Sequence, residues 1–250
     1  MKEILIAIIV GSVGSLINFI AIKIYNSFTG YSKSFLWKNK FKDLKEYKPP
    51  IVFEELKKRT RIVVIDDEES FPVKLFQNEG YSIDKWDSVT DYGKLESGFY
   101  DIIVLDIKGV AMHMSVDDGL GVLESIKANN PAQIIIAYSQ HSFDLSKSKF
   151  WELADEKIAK PTDFLKIKGK IDYLIQDEYK PERYIKSLQE ILSKNRIESK
   201  DIRKFNTKLS KIIAKKEKPN WDEFLDFARN KPDLAKQIIA ISNTILKFFQ

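Results

Sequence analysis

Five short apolar runs recur through the middle of this chain: RIVVID (61–66), SIDKW (82–86), DIIVLD (101–106), QIIIAYS (133–139) and EKIAK (156–160). Their length and β-branched content suit strands rather than helices. Between them lie amphipathic or turn-flanked stretches, including PVKLFQNEG (72–80), GLGVLESIKANN (119–130) and HSFDLSKSKFWELA (141–154). Continuous apolar strands alternating with helices predict an α/β domain built on a parallel sheet that is covered on both faces. In such sheets a ligand binds beyond the carboxyl ends of the strands.

Polar residues gather at those ends. Asp66 and Asp67 follow the first run, Asp106 closes the third, Ser139 the fourth and Lys160 the fifth, with Pro161 next. Carboxylates held side by side repel one another unless a cation neutralises them, so Mg²⁺ on Asp66, Asp67 and Asp106 is the economical reading. Ser139 and Lys160 then supply a hydroxyl and an ammonium to the oxygens of a phosphoryl group, with Asp106 as the nucleophile forming an acyl phosphate. Each residue has a plainer reading: Asp66 or Asp67 as a helix N-cap, Lys160 as ordinary surface. Joint placement is what favours a site. The chain contains no cysteine and only two histidines, His113 and His141, which excludes disulfides and a Cys/His zinc centre and leaves oxygen ligands for a hard cation.

These residues resemble the receiver domain of two-component response regulators. The likeness is carried by the acidic pair in VVIDDEE, the acceptor in DIIVLD, the segment MSVDDGLGVLESIK, the serine ending IIIAYS and the Lys-Pro of EKIAKP. It covers residues 61–176. It implies a five-stranded, doubly wound, flavodoxin-like sheet, phosphorylation at Asp106, and Mg²⁺ held by Asp66, Asp67, Asp106 and the backbone carbonyl of Lys108. It implies a phosphoacceptor with at most autodephosphorylation rather than an enzyme, and as partners a histidine kinase or other phosphodonor and an output protein. Five features depart from the family pattern: a stretch from Asp106 to Gly119 about five residues longer than usual, Ser115 where proline is common, Gln140 after Ser139, the positive charge of Lys108 two residues after the acceptor, and a short first helix. A pseudo-receiver that docks partners without chemistry is the alternative. A phosphatase of the haloacid dehalogenase type needs a second acid two residues after its nucleophile, and Lys108 stands there.

The flanks read differently. Ile4 to Ile22 holds 19 residues without a charge, about 28 Å as a helix and long enough to cross a bilayer. Residues 1–25 are thus expected to form a single transmembrane helix. Lysines crowd the following side, so the bulk of the chain is expected in the cytoplasm and the N-terminus outside, at the cell inner membrane. Ala7, Gly11 and Ser15 recur every four residues, suiting either a homodimer of such helices or plain lipid exposure. Residues 26–60 read as a basic juxtamembrane linker, with Trp37, Phe41, Leu44 and Tyr47 on one face.

Residues 177–250 predict an all-α region: helices at 183–194, 200–216, 220–230 and 233–249, with Trp221, Phe224, Leu225 and Ala228 on one face of the third. The chain carries 11 basic and 5 acidic side chains over 1–60, 13 and 20 over 61–176, and 17 and 11 over 177–250. An acidic middle between basic flanks predicts separate partners for each. The tail lacks a helix-turn-helix with a glycine turn, so protein docking or an anionic leaflet is favoured over nucleic acid.

Overall fold

A computed structural model of the chain describes residues 52–140, 148–215 and 217–249. The expected transmembrane helix and residues 26–51 of the expected juxtamembrane linker lie outside the described residues, and the described end of that linker is a helix, Phe53–Arg59. Among the described residues no helix is long and apolar enough to cross a membrane.

The described chain forms two compact units, 52–197 with 211–249, and 198–210. The larger holds a sheet of β1 (Arg61–Ile65), β2 (Ser82–Trp86), β3 (Ile102–Leu105), β4 (Ile134–Ser139) and β5 (Glu156–Ala159), all parallel, in the order β2-β1-β3-β4-β5. This is the flavodoxin-like order of doubly wound sheets. The three inner strands follow from their texture: Ile62 to Ile65, Ile102 to Leu105 and Ile134 to Ala137 are all fully buried, as strands covered on both faces must be. The edge strands keep their charges. Asp84 and Lys85 on β2 and Glu156 and Lys157 on β5 blunt edges that would otherwise invite further pairing.

Helices cover both faces. Alternate residues Val63, Ile65, Ile103, Leu105, Ile135 and Ala137 share one core with Leu95 of α3 (Tyr92–Glu96), Val122, Leu123 and Ile126 of α4 (Gly119–Asn129), and Phe150 and Trp151 of α5 (Ser148–Leu153). On the other face α2 (Val73–Asn78) and α6 (Phe164–Tyr173) meet through Phe76 and Phe164, whose ring centroids are 5.0 Å apart. Phe71 joins Phe76 to Tyr138 of β4, linking this second core to the sheet. The helix preceding the sheet is α1 (Phe53–Arg59). Residues 141–147, within the helical stretch expected at 141–154, lie outside the described residues.

The tail differs from expectation in one helix. Helices α7 (Pro181–Lys194), α8 (Ser199–Lys215) and α10 (Pro232–Lys247) form where their apolar spacing predicts. The expected helix at 220–230 instead breaks into a single turn, α9 (Trp221–Phe224), and a 3-10 turn at Asp226–Ala228. Leu225 leaves helical geometry at φ −106°, ψ 25°. Its burial, with that of Ala228, outweighs the weak helical preference of so short a segment.

Within the larger unit α7 and α10 pack on each other, and α10 also packs on α4. Their polar anchors share one location. Arg183 of α7 binds Asp155 and the Ala132 carbonyl, while Lys247 of α10 donates to the carbonyls of Gly98 and Phe99 and to Asp101. Each of these residues lies just before a strand. The tail therefore caps the amino ends of the sheet, opposite the edge where Asp66 and Asp106 lie.

Candidate phosphoacceptor site

Strand pairing brings the acids together. Ile65 and Leu105 are partners in register, and the ladder runs one step further: the Asp106 amide donates to the Ile65 carbonyl at 2.9 Å and the Asp66 amide to the Trp86 carbonyl at 3.0 Å. Oxygens of Asp66, Asp67 and Asp106 lie within 4.8 Å of one another. Asp66 and Asp106 are buried, and Asp67 faces solvent.

Lys160 joins this cluster from β5. Its amide bonds the Ser139 carbonyl at 3.1 Å, which places it beside the end of β4, and its Nζ reaches Asp66 Oδ1 and Asp106 Oδ2 at 2.5 Å each and Glu68 Oε2 at 3.4 Å. The Lys160-Pro161 peptide is cis. Burial alone would lower the pKa of this ammonium, but its hydrogen bonds to Asp106 and Asp66 raise it well above the ordinary lysine range. Asp67 is shifted upward, first by partial burial and then by the charges of Asp106, Asp66 and Glu68, against a lowering backbone hydrogen bond. Among the described residues the Lys160 ammonium thus contacts three carboxylates, Asp66, Asp106 and Glu68, with that of Asp67 beside them. The excess negative charge, all on oxygen donors and open to water at Asp67, fits a hard divalent cation, with Asp66, Asp67 and Asp106 to hold it.

Of the residues singled out in the sequence, Asp66, Asp67, Asp106 and Lys160 meet directly, and Ser139 is buried at the end of β4, paired in register with Ala159. Lys108 and Gln140 are both exposed. Several participants escaped the sequence reading. Ser70 donates to Asp66 Oδ2 at 3.0 Å, the Tyr138 ring lies 4.9 Å from Lys160 Nζ, and the Ile107 amide donates to Asp106 Oδ1 at 2.6 Å. Only Ser70 left a signal, four residues after Asp66 as in a local turn.

The long stretch after Asp106 is a folded loop. Asp118 does not cap α4; its carboxylate accepts the amides of Gly109 and Ala111, each at 2.6 Å, and so ties the loop's two ends together. Val110 and Ala111 are buried beneath it, whereas Met112, Met114 and Val116 are exposed. Two glycines permit this closeness. At Gly109, φ +82°, a Cβ would lie 2.1 Å from Asp67 Oδ2; at Gly119 it would lie 2.1 Å from the Asp106 carbonyl oxygen. Gly119→Ala is therefore expected to cost about 1–3 kcal/mol through overpacking and to displace the acceptor backbone. Chemical denaturation and phosphorylation yield, measured on the same preparation, check both effects.

A flavodoxin-ordered parallel sheet with an acidic site and a lysine beyond its carboxyl edge defines the class of protein: a receiver-like domain. No family model matches the chain, and no curated protein matches it. Among solved structures it is similar to the beryllofluoride-activated NtrC4 receiver domain dimer, at 27% identity over 48% of this chain and 98% of that one, TM-score 0.40. A two-component response regulator from Clostridium difficile is similar at 24% identity over 47% and 97%, TM-score 0.40. The response regulator protein TrrA from Thermotoga maritima, in complex with Mg(2+)-BeF, is similar at 30% identity over 46% and 98%, TM-score 0.36. The solved structures that this chain resembles over about half its length are thus receiver domains of response regulators.

Proposed function

We propose that this chain is a signalling protein that accepts a phosphoryl group on Asp106 with Mg²⁺ bound beside it. The observation that carries this reading is Lys160 bridging Asp66 and Asp106 within a cluster of carboxylates whose oxygens lie inside 4.8 Å. An Asp106 carboxylate oxygen attacks phosphorus, the bond to the donor's leaving group breaks, and the leaving group departs with the electron pair. Asp66 and Asp67, with Asp106, would hold the metal, which neutralises charge on the transferred group. Lys160 and Ser139 would meet the other phosphoryl oxygens, and Lys160 would exchange part of its hold on Asp106 for the new anion.

Anchoring belongs to the same reading. The uncharged stretch from Ile4 to Ile22 and the lysines after it support a single span with the receiver-like domain on the cytoplasmic side. Relay to a protein partner runs through the helical tail. Incubating the full chain in detergent with Mg²⁺ and acetyl phosphate is expected to add the mass of one phosphoryl group, lost in Asp106→Asn and on chelation of Mg²⁺. Unmodified protein, together with no Mg²⁺-dependent binding of beryllofluoride, would leave the docking pseudo-receiver as the better account.

A further inference from the structure

The amino end of the sheet, opposite the acidic site, carries a cleft of about 390 Å³ lined by Leu56, Lys58, Arg59, Arg61, Ser82, Tyr179, Lys247 and Phe248. That volume falls in the range of small-molecule sites. Among the described residues that line it, four are cationic and none is acidic.

The balance of charge there is uneven. Lys247 is paired with Asp101 at 2.8 Å, and Arg59 reaches Glu55 at 3.4 Å. Asp101 is itself already occupied, accepting the Arg61 amide at 2.8 Å as well as the Lys247 ammonium. Lys58 and Arg61 form no ion pair among the described residues; Arg61 instead rests its guanidinium on the Phe99 ring, 4.4 Å from the centroid. An anion would relieve this crowding. Consistent with it, the pKa of Lys247 is pushed down, first by burial and further by the charge of Arg61, with Asp101 opposing. Burial, and then the charge of Asp101 and a hydrogen bond to it, hold the Tyr179 hydroxyl protonated. Phe248 and Leu56 supply apolar wall beside these polar groups.

We propose that this cleft binds a phosphate ester, its phosphate held by Lys58, Arg59 and Arg61 and its organic part against Phe248, Tyr179 and Leu56. Arginine forks and lysine point charges are the groups that recognise phosphate, and two of the cationic residues are arginines. The ligand's position matters for the switch. It would touch α1, which follows the basic segment of the sequence, and also the end of α10, which locks the tail to Asp101. The proposal stands apart from phosphorylation of Asp106, since no residue of the acidic site lines the cleft.

The same chemistry has two sources, a soluble phosphate ester and a phospholipid headgroup. The full chain in neutral detergent is titrated calorimetrically with ADP and with dihexanoyl phosphatidylglycerol, dihexanoyl phosphatidylcholine serving as the zwitterionic control. At least one anionic probe is expected to bind, with affinity reduced about tenfold in Lys58→Gln/Arg59→Gln, the weight of a charge-assisted hydrogen bond, and falling with salt. Binding of ADP identifies a soluble ligand, and binding of the phosphatidylglycerol alone a headgroup. Both residues altered are exposed, so the variant should fold; Lys186→Gln, on the exposed side of α7, controls for general charge loss. The proposal is overturned if neither probe binds, or if the double variant binds as tightly as the Lys186 control. Retained phosphorylation of Asp106 in the double variant separates the two sites.

Discussion

Lys160→Met is expected to lower stability by about 3 kcal/mol in metal-free buffer, and Mg²⁺ is expected to restore much of that loss. The side chain of Lys160 is 5% exposed, and its partners Asp66 and Asp106 are 0% and 9% exposed. Removing the ammonium leaves two carboxylates buried side by side without their counter-charge. The lower end of the range for broken buried pairs applies, because water reaches the site beside exposed Asp67 and Glu68. A divalent cation among the same oxygens supplies the missing charge, so Mg²⁺ should stabilise the variant more than the wild type. Urea titrations with and without Mg²⁺ measure the difference. Equal Mg²⁺ effects in the two proteins would argue against a metal held by Asp66, Asp67 and Asp106. Phosphorylation should be lost in the variant under either condition, since Mg²⁺ does not replace the hydrogen bonds that Lys160 would give the phosphoryl group.

The second large effect lies at the other end of the sheet. Lys247→Met is expected to cost about 3 kcal/mol and to expose α10 to proteolysis. Asp101 is 2% exposed and loses its ammonium partner in this variant, although it keeps the Arg61 amide. The carbonyls of Gly98 and Phe99 lose their donor as well. Adding Asp101→Asn should recover part of the loss, because the uncompensated charge disappears while an oxygen remains for the Arg61 amide. A double variant as unstable as the sum of the singles would show that the pair contributes through packing rather than charge. The outcome bears on signalling, since a tail held by the Lys247–Asp101 and Arg183–Asp155 ion pairs and the Tyr179, Tyr184 and Phe248 ring cluster is an element whose docking can be shifted.

Lys160 and Lys247 also mark where reading the chain succeeds and where it stops. Apolar runs ending in Asp66, Asp106, Ser139 and Lys160 were legible because a buried parallel strand must be continuously apolar and its ligand edge polar. That local rule also places the elements of the sheet. Asp118 and Gly109 were not legible as partners, because nothing in their spacing says that a carboxylate will turn back to the start of its loop instead of capping the next helix. The break at Leu225 was hidden for a similar reason: helical spacing records which residues are apolar, not which of them a neighbouring surface will bury.

The largest gap concerns the tail. Its amphipathic helices were plain in the sequence, each face being a local property of one segment. Which surface they cover was not. Lys247 and Asp101 are separated by most of the larger unit's chain, and Arg183 and Asp155 by β5 and α6. Such pairings form only when the whole chain has collapsed, because burial and charge neutralisation are then satisfied jointly by residues that no local pattern connects. Local periodicity therefore settled the sheet, the acidic edge and the helical faces. Long-range packing decided that the tail caps the amino ends of the strands and leaves a basic cleft there.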